Sequence, residues 1–452
     1  MTARNTLSLF LLIALHSSSV SAQSTGPFNW NINGNGTWSN PANWGTNSTP
    51  DAGSTTQFSD VIPPVFPPPA PATSAVINLE GTKASQNVNF LSGNSTTAFT
   101  IGTSSQTLNL DGGASSSIAR QGSANSSFAA GVNLIGTGKS LSVSNTNTTG
   151  ALSFSSLNIG NSNALTVSGS GTTNITALSG SGASSSATFS GTGSSTLSSI
   201  SNIATINVQG GTRNLGTING TNVVNLSGGS ATINNLNTST INVTGGSHII
   251  TQANQSTVNL GSSASLSSSI SVNSNSVLNG TGLINGNVII RTNATHSPGN
   301  SPGTQTIAGN LTYEAGSTFV WELNGNSINN SDFDRIEFSG AGRTLTAGGA
   351  MSTRLNFVGA NFNDVFWKED RSWTVFSNVN VTPDSIANMG IFIDTPGAPN
   401  GTIAWVFDSN NKNLNLQFSA VPEPGTLALL GLATGLFGFA KRRKLKALVA
   451  RT

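Results

Sequence analysis

The alternation of apolar and polar residues is tightest between residues 206 and 260, where one triplet returns four times: Ile206-Asn207-Val208, Val224-Asn225-Leu226, Ile241-Asn242-Val243 and Val258-Asn259-Leu260. The copies lie 17 or 18 residues apart. In such a triplet the outer two side chains face one way and the asparagine the other, which predicts a short strand with an aliphatic inner side and an amide outer side. A glycine-rich turn follows the first three copies (Gly210-Gly211, Gly228-Gly229, Gly245-Gly246), and a second apolar position recurs seven residues after the triplet, at Leu215, Ile233 and Ile250. Each repeat is therefore expected to hold two short strands and two turns. A unit this small cannot bury its own hydrophobic side, so copies must stack, each pairing with the next across about 4.8 Å. The predicted fold class is all-β, a parallel β-helix or solenoid in which repeated Asn, Ser and Thr form ladders between rungs.

The repeat loosens toward the N-terminus. Rungs around residues 108–110, 141–143, 165–167 and 188–189 are spaced by more than twenty residues, which predicts loops of variable length. The competing reading of so polar a stretch is a disordered low-complexity stalk. Outside the repeats the pattern changes twice. Residues 23–61 carry Trp30, Trp38 and Trp44 among Asn, Gly and Pro, and are expected to cap the first rung; stacking of those rings on sugars is the sharper alternative. Pro63-Pro64 and Pro67-Pro68-Pro69 make residues 62–77 an extended linker. The solenoid is assigned to 78–296. From Ser297 charges and aromatics return, and 297–418 is expected to form an all-β module that covers the open edge of the last rung.

Composition narrows the chemistry. Only 8% of residues are charged, there are 51 glycines and no cysteine, so neither disulfides nor thiolate metal sites are available. Seven of the 18 Lys and Arg lie at the two ends (Arg4, Lys441, Arg442, Arg443, Lys444, Lys446, Arg451), leaving 11 against 16 Asp and Glu, Glu423 among them. The body is weakly acidic without a basic stripe, which argues against nucleic acid as a partner. No Asp or Glu occurs between Asp111 and Glu314, so the repeats lack general acids, general bases and hard-cation ligands. Of the three histidines, His16 belongs to the N-terminal signal, and His248 and His296 are read as solvated turn residues. No catalytic arrangement, metal site or cofactor is assigned, and the chain is expected not to be an enzyme.

Three lookalikes carry little. Gly136-Thr137-Gly138-Lys139-Ser140 echoes a phosphate-binding loop but has Asn133 where the first glycine belongs, and reads as a turn. Triplets such as Asn35-Gly36-Thr37, Asn47-Ser48-Thr49 and Asn94-Ser95-Thr96 fit the glycosylation pattern, which arises by chance in so Asn- and Ser-rich a chain. Asp332-Phe333-Asp334 with Glu337 is the one tight carboxylate group; on a strand the two aspartates share a face, which admits a calcium ion, but the start of a structural strand is the favoured reading.

The two ends carry an address. Arg4, the apolar run 7–15 and Val20-Ser21-Ala22 form a signal peptide with cleavage between Ala22 and Gln23 by signal peptidase; the run is too short for a permanent anchor. At the other end stand Val421-Pro422-Glu423-Pro424, an uncharged span from Gly425 to Ala440, and Lys441-Arg442-Arg443-Lys444. Such a span rises about 24 Å as a helix, short of a hydrocarbon core of about 30 Å, so a single transmembrane helix here leans on snorkelling basic flanks. The basic cluster is expected to stay cytoplasmic. Gly431 and Gly435 add a small packing face in that span.

The tail over 419–452 resembles the PEP-CTERM sorting signal of Gram-negative bacteria, with its three parts in order, although residues 445–452 extend past the usual stop. The resemblance implies recognition by an exosortase, an inner-membrane intermediate, and delivery to the cell surface or extracellular matrix of a bacterium that makes exopolysaccharide. The segment from Trp38 to Trp44 resembles the opening of bacterial exported β-solenoids, and residues 296–323 resemble the end of autotransporter passenger β-helices. The expected function is structural or adhesive, associated with exopolysaccharide or biofilm. The alternatives are an autotransporter-like adhesin passenger, which would need a translocating barrel in place of the apolar span, and a polysaccharide-degrading β-helix enzyme, against which the missing carboxylates argue.

Overall fold

In the computed structural model, residues 27–32, 34–58, 74–91, 97–299 and 302–421 are described. They form an all-β solenoid whose 38 strands join in continuous pairing, nearly all of it parallel. Each rung lies on the next in register. On one face Val208 stands beside Leu226, Leu226 beside Val243, and Val243 beside Leu260, and all four are buried, as the triplet alternation requires.

The rung has three faces where the sequence predicts two strands. The segment from Ser230 to Asn237 is assigned as one strand, yet it bends after Ile233 and lays Leu236 on a further face. There Ile200, Ile218, Leu236, Ala253, Val272 and Ile290 form a buried column of their own. The bends are β-bulges: one extra residue turns the strand without ending it, so no Gly-Pro punctuation announces them. Gly216 makes one such bend at φ +51. The neighbouring copies do without a glycine at that place.

Parallel pairing runs through both boundaries drawn from composition. Pro27–Asn29 pairs with Thr55–Phe58, which pairs with Asn87–Phe90, so the tryptophan-rich segment belongs to the first rungs. Residues 59–73, most of the proline-rich segment, lie outside the described residues, and Ser74–Asn78 is already a paired strand. At the other end Thr295–Pro298 pairs with Thr318–Asn324, which pairs with Met351–Val358 and then Met389–Ile393. Gly401–Asp408 and Asn413–Ala420 turn antiparallel, adding a hairpin to Arg371–Ser377 and ending the coil on that face.

Rung size sets core composition. One rung occupies 30 residues between Asn87 and Ser117 and 17 between Asn225 and Asn242. The tight middle is filled by Val, Ile and Leu, while the wider ends need rings. Trp30, Trp38 and Trp44 pack edge to face with centroids 5.1 and 5.0 Å apart over Phe58. Trp321, Trp367 and Trp373 fill the far end with Phe357 and Phe418. The three tryptophans are buried inside the first rung, so their rings form no exposed platform for sugars.

Candidate functional site

Two amide ladders run along the outside of the solenoid. Asn225 Nδ2 donates to Asn207 Oδ1 (2.9 Å), Asn242 to Asn225 (3.1 Å), Asn259 to Asn242 (2.9 Å) and Asn279 to Asn259 (3.0 Å). On the bulged face Asn237 donates to Asn219 (2.6 Å), Asn254 to Asn237 (2.8 Å) and Asn273 to Asn254 (2.5 Å). Every amide donates toward the preceding rung, so each interior member spends one N–H and its carbonyl on its neighbours. The ladders fix register: a slip of one residue would turn the asparagines into the aliphatic core.

The interior holds polar groups that the sequence placed outside. His248 is completely buried, not solvated in a turn: its Nδ1 accepts from Ala231 N (3.0 Å) and its Nε2 donates to Gly245 O (2.7 Å). His296 is likewise buried, in line with Leu278 and Phe319 of the flanking rungs. Its Nδ1 lies 2.8 Å from Tyr313 Oη and its Nε2 donates to Gln305 Oε1 (2.7 Å), while Gln305 Nε2 donates to Gly280 O (3.1 Å). Burial lowers the pKa of both histidines, His296 to about 4, so both are neutral structural groups at neutral pH. Arg120 and Arg213 are buried too, and cap loop carbonyls: Arg120 reaches Gly150 O (2.9 Å) and Asn145 Oδ1 (3.0 Å), Arg213 Gly193 O (2.8 Å) and Ser195 Oγ (3.0 Å).

The acidic group at 332–337 separates. Asp332 stands at the surface, where hydroxyls of Ser327 and Ser331 hold its carboxyl below the usual range. Asp334 is buried two residues later, because the strand begins only at Arg335 and the chain turns between them. Its Oδ1 accepts from Gly303 N (3.0 Å) and its Oδ2 from Glu322 N (3.1 Å). Glu337 points outward. Among the described residues no three His, Asp or Glu side chains converge on a metal-holding position.

Burial, aided by the charge of Glu322 and opposed by the two amide donors, pushes the Asp334 carboxyl up to about 8. A pKa raised by folding contributes stability that is lost as pH rises through the folded value. For His296, depressed by folding, stability is instead lost as pH falls from about 6.5 toward 4. Between about 4 and 6.5 the slope of His296, joined by that of His248, opposes the Asp334 slope, and only the Asp334 slope remains above. The protein is therefore expected to lose about 2 kcal/mol between pH 6.5 and 8. Asp334→Asn should lower stability overall, since its amide nitrogen cannot accept from one of the two backbone donors, but should flatten that slope in thermal melts. A parallel slope in the variant would contradict the assignment.

The C-terminal exit completes the picture. Asn413–Ala420 is the final strand, held at its end by Ala420 N donating to Asp370 Oδ1 (2.9 Å) and Val421 N to Asn400 O (3.3 Å). Val421 itself is 53% exposed, and the described residues stop there. Residues 420–444 match the PEP-CTERM protein-sorting motif. No curated protein matches the chain. The motif indicates exosortase-dependent sorting and implies export to a cell-surface or extracellular location. It begins at the last residue of the closing hairpin, so fold and PEP-CTERM tail meet without a spacer. Pro422, Glu423, Pro424, the basic residues Lys441 to Lys444, and the Ala22-Gln23 junction lie outside the described residues. No helix among the described residues is long and apolar enough to cross a membrane. The expected transmembrane span, 425–440, also lies outside them.

Proposed function

We propose that the chain is an exported display protein without enzymatic activity, structural or adhesive in an exopolysaccharide-rich surface layer. Its N-terminal signal is removed between Ala22 and Gln23, and the apolar span 425–440 then holds it in the inner membrane with Lys441 to Lys444 on the cytoplasmic side. The exosortase releases the body near Val421 to Pro424. One observation carries the reading: the closing strand ends at Ala420, Val421 is exposed, and the matched sorting motif starts at that same point, so the motif follows the last paired strand in sequence and cleavage near it would spare the solenoid. The absence of acidic residues from 112 to 313 supports a mechanical over a chemical role. Mass spectrometry of the mature protein from its own host tests the route. A C-terminus near Pro422 is expected, and recovery of peptides containing Lys446 from the surface fraction would overturn it.

A further inference from the structure

The corner between the two amide ladders holds a shallow groove of about 240 Å³, lined by Asn222, Thr238, Ser239, Thr240, Gln255 and Thr257 from three successive rungs. Beneath it a buried serine column builds the corner: Ser239 N donates to Ser256 Oγ (3.1 Å) and Ser256 N to Ser276 Oγ (3.1 Å), leaving the exterior free of structural duty. The ladder amides on either side give one N–H and the carbonyl to one another. In contrast, the side chains of Asn222, Thr240, Gln255 and Thr257 make no hydrogen bond among the described residues. They present amide and hydroxyl donors and acceptors to solvent, aligned along the solenoid axis.

Backbone strain marks the same place. The corner requires a left-handed residue on each rung, which Gly220 supplies at φ +61 and Asn275 and Asn293 at φ +59 and +60. At the groove the rungs instead carry Thr238 at φ +52 and Gln255 at φ +49. A β-branched or long side chain in that region is disfavoured where glycine is at ease. Side chains retained against strain point to use.

The chemistry selects the ligand. From Asn214 to Ile290 the chain contains no Lys, Arg, Asp or Glu, so nothing in the groove can pair with a charged ligand, and its polar lining offers no home to an apolar one. We propose that this corner binds an uncharged polysaccharide laid along the axis, with the Asn222 and Gln255 amides and the Thr240 and Thr257 hydroxyls as its hydrogen-bonding partners. The inference rests on the display reading above and names its ligand class.

The test is electrophoresis of the full chain, purified in detergent, through gels containing dextran, laminarin or galactomannan, with anionic alginate for comparison. At least one uncharged polymer is expected to retard the protein and alginate not. Gln255→Gly should weaken the retardation by about tenfold. The same substitution should leave the melting temperature at or about a degree above the parental value, because glycine relieves the left-handed strain, and this separates lost binding from lost folding. Asn222→Ala should weaken retardation without that gain. Lack of retardation by every uncharged polymer, equal retardation by alginate, or variants that bind like the parent would each overturn the proposal. A protein cleaved near Pro422 but not retarded defeats the groove alone, and one retarded but left uncleaved defeats the sorting route alone.

Discussion

Glu423→Ala is expected to leave the protein in the inner-membrane fraction with its basic tail intact, and to empty the surface fraction of it. The residue lies within the matched PEP-CTERM motif and follows the closing strand in sequence, so the substitution is aimed at recognition. A processing site that pairs with a carboxylate rejects a substrate lacking it by far more than a missing methyl group would allow, because its own buried partner is left unsatisfied. Surface delivery should therefore fall by about a hundredfold or more. Fractionation with an antibody to the body, and the mass of the membrane-retained form, read the result. Delivery at the parental level would remove the exosortase from the pathway.

Val243→Asp should break the solenoid in the middle. Val243 is buried between Leu226 and Leu260 on the adjacent rungs, with no cation or polar group in that column to receive a carboxylate. An unpaired buried charge costs several kcal/mol, on the order of 3–5 in typical proteins. In a stack held only by nearest neighbours, that cost falls on one rung and its two interfaces. The expected outcome is a new protease-sensitive point near residue 243 that releases an N-terminal fragment, with a much lowered melting temperature. Asn242→Asp, one residue away but outward, should leave the chain resistant to protease at that point. If both variants resist protease equally, the inward assignment of the triplet is wrong.

Much of the repeat was legible from alternation. The positions read as inward, Val208, Leu226, Val243 and Leu260 with Leu215, Ile233 and Ile250, are all buried, and the intervening asparagines form the ladder that their spacing suggests. The third face was not legible. It arises where a strand bends through a bulge between Ile233 and Asn235, and a bulge needs no turn residue, so nothing in the local sequence sets Leu236 and Ala253 apart from the strand before them. The histidines were misplaced for a related reason. His248 and His296 sit at inward positions of their rungs, and an inward polar residue can be told from a turn residue only once its partners, Ala231 N, Gly245 O, Tyr313 and Gln305, are placed around it.

The PEP-CTERM address, by contrast, was complete in one dimension, because a sorting tail is read as a linear string of proline, carboxylate, apolar span and basic stop. The solenoid class followed almost as directly, since a unit of 17 residues with one apolar side has no way to bury it except by stacking. What only the tertiary structure decided is which polar groups are spent and which are left over. Asn242 and Gln255 are both amides on the outside of the coil, yet one is bonded to the rungs above and below and the other projects alone from a strained corner. That difference depends on what stands at the same place on the adjacent rungs: Asn242 is in register with Asn225 and Asn259, whereas Gln255 sits at a left-handed corner next to Thr238, and local alternation does not encode that stacking.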